Sequence, residues 1–316
     1  MKALAVPAFG PVTSLEEVEL DPPAASGVRV SIHASSLNQA DIKVITGKDG
    51  GRFLHAARFP LVPGFDFSGV VEGGEGFDAG TEVFGHLPYA RSNRQGTFAE
   101  LIDVPADSIA AKPASVTHAE AAAAATTGLT ALQALRDLGA QREGMKVLIN
   151  GASGGVGSFA VQIAKLLGAS VTAVCSAGKA DFVTELGADR VVDYRTQSVL
   201  ELDHKFDIVF DCAASLSFWK CRRLLESGGT YITTLPSPSA IAGLGLGWVV
   251  GRRCKLVIVK SKAADLQQLA TWLEAGQLSS PLDKTVSWSR DNLIEALEML
   301  AKGAVRGKIA VNGPAS

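Results

Sequence analysis

Between Lys146 and Gly157 the chain reads Lys-Val-Leu-Ile-Asn-Gly-Ala-Ser-Gly-Gly-Val-Gly. Lys146–Asn150 forms a short apolar strand signal, and beyond the glycines Phe159, Ile163, Leu166 and Leu167 fall on one helical face. A glycine turn set between a strand and a helix N-terminus has a specific physical use. Gly154 lets the backbone approach a pyrophosphate, Gly157 lets the helix pack closely on the strand, and free first-turn amides face the phosphates. Ala152 stands where the G-x-G-x-x-G pattern wants its first glycine, so the match is imperfect. The turn predicts a dinucleotide cradled by Ala152, Ser153, Gly154, Gly155, Val156 and Gly157.

Around this turn, strand and helix signals alternate. Val171–Val174 is a second strand, Lys179–Leu186 a helix ended by Gly187, and Arg190–Asp193 a third strand. Asp207–Cys212, Thr230–Leu235 and Leu256–Val259 supply more. Such alternation predicts an α/β fold with a doubly wound parallel sheet, covered on both faces. Upstream the texture is β-rich, with short runs at Val28–His33, Gly69–Glu72, Glu82–Phe84 and Phe98–Val104 separated by Gly, Pro and Asp. A small-residue helix follows at Ala119–Ala125, continued by Leu129–Leu138. At about 150 residues per domain, the chain length implies two domains. The tail (helices Ala264–Leu273 and Asp291–Ala301, strand Lys308–Val311) is expected to return to the first of them.

Composition removes other classes. Lys and Arg number 30 against 32 Asp and Glu, which gives no electrostatic case for nucleic acid or an anionic membrane. The longest apolar stretch, Ile241 to Val250, holds three glycines and is half the ~20 residues of a membrane-spanning helix, so no membrane insertion is expected. The opening MKALAVPAFGP reads as a first strand rather than a signal peptide. Cys175, Cys212, Cys221 and Cys254 show no C-x-x-C spacing, the pattern of reduced thiols in a cytoplasmic protein.

The end of the second strand bears on the choice of dinucleotide. An NAD site wants Asp or Glu there to hold the ribose 2′-hydroxyl. This chain has Cys175-Ser-Ala-Gly-Lys179, with no carboxylate before Asp181. The Ser176 hydroxyl and the Lys179 cation suit a 2′-phosphate, which favours NADPH over NADH.

Taken together, several segments resemble the medium-chain dehydrogenase/reductase superfamily, and within it the zinc-free quinone oxidoreductase branch. They are Asn38-Gln-Ala-Asp41, Pro63-Gly-Phe-Asp-Phe-Ser-Gly69, Gly96-Thr-Phe-Ala-Glu100, Ala124-Ala-Thr-Thr-Gly-Leu-Thr-Ala131, the glycine turn, Leu186-Gly-Ala-Asp189, Val192-Asp-Tyr194 and Gly307-Lys308. The resemblance spans essentially the whole chain. It implies a GroES-like β-rich domain over 1–115 and 263–316, a Rossmann domain over 116–262, and a nicotinamide in the cleft between them. The zinc alcohol dehydrogenases place a Cys where Asn38 stands, a His where Phe65 stands and a second Cys near Ala123. Asn, Phe and Ala cannot supply the three ligands of a catalytic zinc, and no cysteine lies between residues 76 and 98 for a structural zinc lobe. The expectation is hydride transfer from NADPH to quinones or α,β-unsaturated carbonyls with no metal.

By the same resemblance Asn38 lies beside nicotinamide and acceptor, Thr127 contacts the carboxamide or ribose, Tyr194 lies at the 2′-phosphate, and Lys308 near the phosphates. Read alone, each residue has a plainer alternative: a loop cap, a locally bonded hydroxyl, a packing ring and a surface charge. Asp41 reads as a helix-start residue. Many relatives carry a tyrosine after Gly47, whereas Gly47–His55 has none. Phe53 could stack on a flat substrate and His55 could donate a proton, although a lone loop histidine is usually a surface residue. Tyr89, Arg91 and Arg94 lie in the shortened loop and could border the cleft. The branch forms homodimers through sheet edges, with Thr230–Leu235 and Leu256–Val259 as candidate edges. Two other functions stay open: an enoyl-thioester reductase, and a catalytically weak NADPH-binding sensor or structural protein.

Overall fold

The computed structural model describes residues 1–55, 58–91 and 95–314. Two compact units divide the chain: Met1–Leu129 with Lys260–Ser316, and Thr130–Val259.

In the first unit, β1 (Lys2–Ala5) pairs antiparallel with β2 (Glu16–Glu19). The main sheet is built from β3 (Val28–Ser36), β4 (Asp66–Gly73), β5 (Glu82–His86), β6 (Leu101–Val104) and β7 (Ile109–Ala111). Helix α1 (Gln39–Thr46) follows β3, and α2 (His118–Leu132) follows β7. Along β3 the side chains alternate, burying Val28, Val30 and Ile32 against a core that includes Leu37, Phe65, Phe67 and Phe98. The last three residues of β3, Ala34, Ser35 and Ser36, are all buried.

The second unit is a six-stranded parallel sheet. Its elements are β8 (Lys146–Asn150), α3 (Gly155–Leu166), β9 (Ser170–Cys175), α4 (Ala180–Glu185), β10 (Arg190–Asp193), β11 (Phe206–Asp211), α5 (Phe218–Cys221), β12 (Leu225–Thr233), α6 (Pro238–Leu246) and β13 (Arg253–Leu256). The strand order β10-β9-β8-β11-β12-β13 is that of the Rossmann fold, with β8 and β11 flanking the point where the order reverses. Four of its strands lie close to their sequence signals. The strand expected at Leu256–Val259 sits earlier, because pairing with β12 runs from Thr230↔Arg253 to Thr233↔Leu256 and only Val257 N–H still reaches Thr233 O. The helix expected to continue to Leu138 instead leaves α2 at Leu132 and widens into a π turn over Gln133–Leu138.

The chain then returns through α7 (Ala263–Glu274), β14 (Leu282–Val286), α8 (Arg290–Ala301) and β15 (Lys308–Asn312). β15 lies antiparallel to β3, with Ala310 opposite Ser36. β3 places Ser36 opposite Asp66 of β4, and β4 places Asp66 opposite His86 of β5. Four adjacent strands thus bring residues far apart in sequence to one end of the first unit's sheet. Among the described residues no helix is long and apolar enough to cross a membrane, and the four cysteines are free.

Candidate active site

The glycine turn closes β8 as the sequence predicts. The N–H groups of Gly151 and Ala152 both donate to Val174 O, tying the turn to β9, and Gly151 takes a φ of 78°. Gly157 must be glycine for packing: a Cβ there would lie 2.1 Å from Gly151 O. Gly154 differs, since a Cβ on it would meet nothing nearer than Gly151 O at 3.4 Å. It leads into α3 with no side-chain cap, so the first-turn amides have no intrahelical acceptor. The face above Gly154 is therefore open and rich in N–H donors, the arrangement that receives a diphosphate. Ala152 and Ser153 are buried, while Gly155 and Val156 are half-buried beside the opening.

At the end of β9, Ser176 O accepts from Lys179 N–H (2.9 Å), and both residues are half-buried. Tyr194 comes to the same corner because β10 pairs with β9, its N–H donating to Cys175 O at 3.3 Å. Its ring is 55% exposed. The Arg195 guanidinium stands 5.9 Å from that ring centroid, a cation that motif reading did not single out. Asp193 is the nearest carboxylate in sequence, and its Oδ1 accepts the Arg195 N–H in the turn.

In the first unit a buried polar network joins Asn38, Asp66, Lys308, Ser36 and Thr126. Lys308, only 2% exposed, donates to Leu37 O (2.7 Å), Asn38 Oδ1 (2.6 Å) and Asp66 Oδ2 (3.1 Å). An ammonium has three N–H donors and all are used. β15 directs the Lys308 side chain, which the resemblance sets near the dinucleotide phosphates, to the end of β3. Because the ammonium can only donate, the Asn38 amide orientation is fixed, with Nδ2 donating to Asp66 Oδ2 at 2.8 Å. Asp66 also accepts from Ser36 Oγ (2.5 Å), Thr126 N–H (2.8 Å) and the Thr126 hydroxyl. Burial alone would raise the Asp66 pKa, but Lys308 and these donors hold it below the ordinary carboxylate range.

Asp41 accepts from Asn38 N–H at 2.6 Å, the helix-start role read from sequence. Burial, together with the nearby Asp66 charge, pushes its pKa up to about 8, against the pull of the Asn38 hydrogen bond. Thr127 does not join the network. Its hydroxyl donates back to Ala123 O at 2.7 Å, which is the local alternative, and its neighbour Thr126 reaches Asp66 instead.

Phe53 is 68% exposed, with Arg91 5.9 Å from its ring centroid. His55 is buried with its ring 6.4 Å from Phe65, contrary to the usual surface position of a loop histidine. Arg94 lies outside the described residues. Around Phe65, His86 and Tyr89 complete an aromatic cluster. At the three positions compared with zinc ligands, the Phe65 ring is wholly buried, Ala123 offers no donor, and Asn38 is bound to Lys308 and Asp66. Among the described residues no three His, Cys, Asp or Glu side chains converge on a metal position.

Sequence reasoning named Asn38 and Lys308 but missed Asp66, which binds both, and Ser36 and Thr126, which donate to Asp66. The one signal available was Asp66 within Pro63–Gly69, whose partners only sheet register reveals.

The family model described as alcohol dehydrogenase GroES-like domain matches residues 24–114, and that described as zinc-binding dehydrogenase matches residues 186–311. The chain is 34% identical over 328 residues to the mitochondrial NAD(P)H oxidoreductase RTN4IP1 of Bos taurus, covering 90% of this chain and 81% of that protein. It is 32% identical over 308 residues to a trans-enoyl reductase of Aspergillus terreus, covering 90% and 85%. The solved quinone oxidoreductase of Coxiella burnetii superposes with a TM-score of 0.87 at 26% identity, covering 99% of each chain.

Proposed function

Because the chain belongs to the medium-chain dehydrogenase/reductase superfamily of oxidoreductases, we propose that it is an NADPH-dependent reductase of quinones or α,β-unsaturated carbonyls that works without zinc. The open, uncapped glycine turn carries this reading, since it offers amides and space where a diphosphate needs both. When bound, NADPH supplies a hydride to the acceptor. Ala152 to Gly157 hold its diphosphate, and Ser176, Lys179 and Tyr194 take its 2′-phosphate, with Arg195 as a further cation. Asn38 orients the acceptor through its remaining amide N–H, held still by Lys308 and Asp66. The Asn38, Phe65 and Ala123 side chains leave a donor set unsuited to zinc, so carbonyl polarisation falls to hydrogen bonds.

The Lys179→Ala variant tests the cofactor assignment. Loss of a charged hydrogen bond should raise the NADPH dissociation constant roughly tenfold and leave NADH binding nearly unchanged. Equal losses for both dinucleotides would refute the 2′-phosphate contact. A second reading, an enoyl-thioester reductase, is supported by the trans-enoyl reductase relative. NADPH oxidation with crotonyl-CoA but not with a quinone would select it.

The homodimer belongs to the same proposal. β13 is the outer strand of the parallel sheet, and Ile241, Leu244, Leu246, Trp248 and Val249 are exposed just before it. An open edge flanked by apolar side chains seeks a partner. Sedimentation at the mass of a single 32.8 kDa chain would refute the dimer.

A further inference from the structure

The aromatic cluster around Phe65 contains one hydroxyl that the fold leaves unused. Tyr89 packs edge-on against Phe65 (centroids 4.7 Å apart, planes at 86°) and against His86 (5.0 Å, 86°). The residue is half-buried, and its hydroxyl makes no hydrogen bond to a described residue. Phe65 immediately precedes Asp66, which binds the Asn38 amide, and His86 stands opposite Asp66 across β4 and β5. The Tyr89 ring therefore packs on the residue that precedes Asp66 and on the residue paired with Asp66 across the sheet.

The two rings it packs on, Phe65 and His86, cannot serve as donors. Ser261 Oγ gives its single proton to His86 O (2.8 Å), so at 2.7 Å the His86 ring must donate from Nδ1 to Ser261 Oγ. His86 Nε2 is then a bare lone pair, buried and without a partner among the described residues. Burial lowers the His86 pKa to about 4, keeping the ring neutral. Phe65 has no polar atom. Tyr89, by contrast, is held above its ordinary pKa, first by burial and then by the Asp66 and Asp41 charges, so the phenol keeps its proton.

We propose that the Tyr89 hydroxyl donates a hydrogen bond to the carbonyl oxygen of the acceptor, supplying the polarising contact that zinc gives in other dehydrogenases. This rests on the reductase reading above. Hydride addition at the β-carbon of an enone breaks the C=C π bond and moves its electron pair onto oxygen as an enolate. Tyr89 stabilises that oxygen without giving up its proton, and water delivers the proton that closes the α-carbon.

Tyr89→Phe keeps the ring and removes only the hydroxyl. With full-length protein and NADPH, kcat for methyl vinyl ketone should fall by about 10²–10³, as when one oxyanion donor is deleted. The loss with 1,4-benzoquinone should be much smaller, because the hydroquinone oxygen is a weaker base than an enolate. Binding of 4-nitrophenolate, an unreactive oxyanion, should weaken by about tenfold. Unchanged enone turnover and unchanged 4-nitrophenolate binding would overturn the role of Tyr89. Equal losses for both acceptors would also overturn it, by showing a merely structural effect. If the unmodified protein oxidises no NADPH with either acceptor, the reductase reading fails. In that event 4-nitrophenolate binding still decides Tyr89, since a tenfold loss supports an oxyanion contact and no loss removes it.

Discussion

Lys308→Met puts a neutral chain of similar length where the ammonium sits 2.6–3.1 Å from three acceptors. Breaking a buried ion pair by removing one partner costs about 3–5 kcal/mol. Asp66 keeps Ser36, Thr126 and Asn38 as donors, which argues for the lower end, about 3 kcal/mol. For a domain of roughly 150–250 residues, each kcal/mol is worth about 2–4 °C, so the melting temperature should fall by roughly 6–12 °C. Scanning calorimetry reads this directly. Adding Asp66→Asn to Lys308→Met should recover part of the loss, because no uncompensated charge then stays buried. The NADPH dissociation constant should move by less than about twofold, since all three Lys308 donors are already taken by Leu37 O, Asn38 and Asp66. A melting shift below about 2 °C would refute the buried pair. A tenfold loss of NADPH affinity in a variant of unchanged stability would restore Lys308 to the phosphates.

Two other expectations follow from geometry. A Cβ at Gly154 makes only an ordinary contact with Gly151 O at 3.4 Å, so Gly154→Ala should melt like the parent yet bind NADPH at least about tenfold more weakly (a loss of ~1.4 kcal/mol), and isothermal titration showing undiminished affinity would mean that the turn holds no diphosphate. Asp41 titrates near 8 in the folded chain against an ordinary 3.8, so the folded state binds the extra proton between those values. Stability should therefore decline as pH rises across that window and level off above it, and Asp41→Asn should flatten this component in urea midpoints measured at several pH values. A decline of equal size in the variant would show that Asp41 is not the group responsible.

How much of this could be read from the sequence depended on how local each interaction is. The turn from Asn150 to Gly157 was legible because strand, glycines and helix are contiguous and each residue type has one physical use. The parallel sheet followed from alternation, although β13 slipped toward Arg253 because backbone pairing with β12, not apolar content, sets its register. The acceptor side was not legible in this way. Lys308 and Asp66 are 242 positions apart and meet only because β15, β3 and β4 are neighbours. Nothing local distinguishes a lysine that will be buried from one on the surface. Thr126 and Thr127 show the same limit, since adjacent threonines on one helix point their hydroxyls to Asp66 and to Ala123 O respectively. Tyr89 could be named as a loop aromatic, but its unused hydroxyl appears only once Phe65 and His86 are seen around it.

The most direct test of metal-free hydride transfer is NADPH oxidation followed at 340 nm with 9,10-phenanthrenequinone, on protein dialysed against chelator and assayed for zinc in the same sample. Sustained turnover at far below one zinc per chain is the predicted result. Oxidation that appears only when zinc is restored, or no oxidation with either a quinone or an enone, would contradict it.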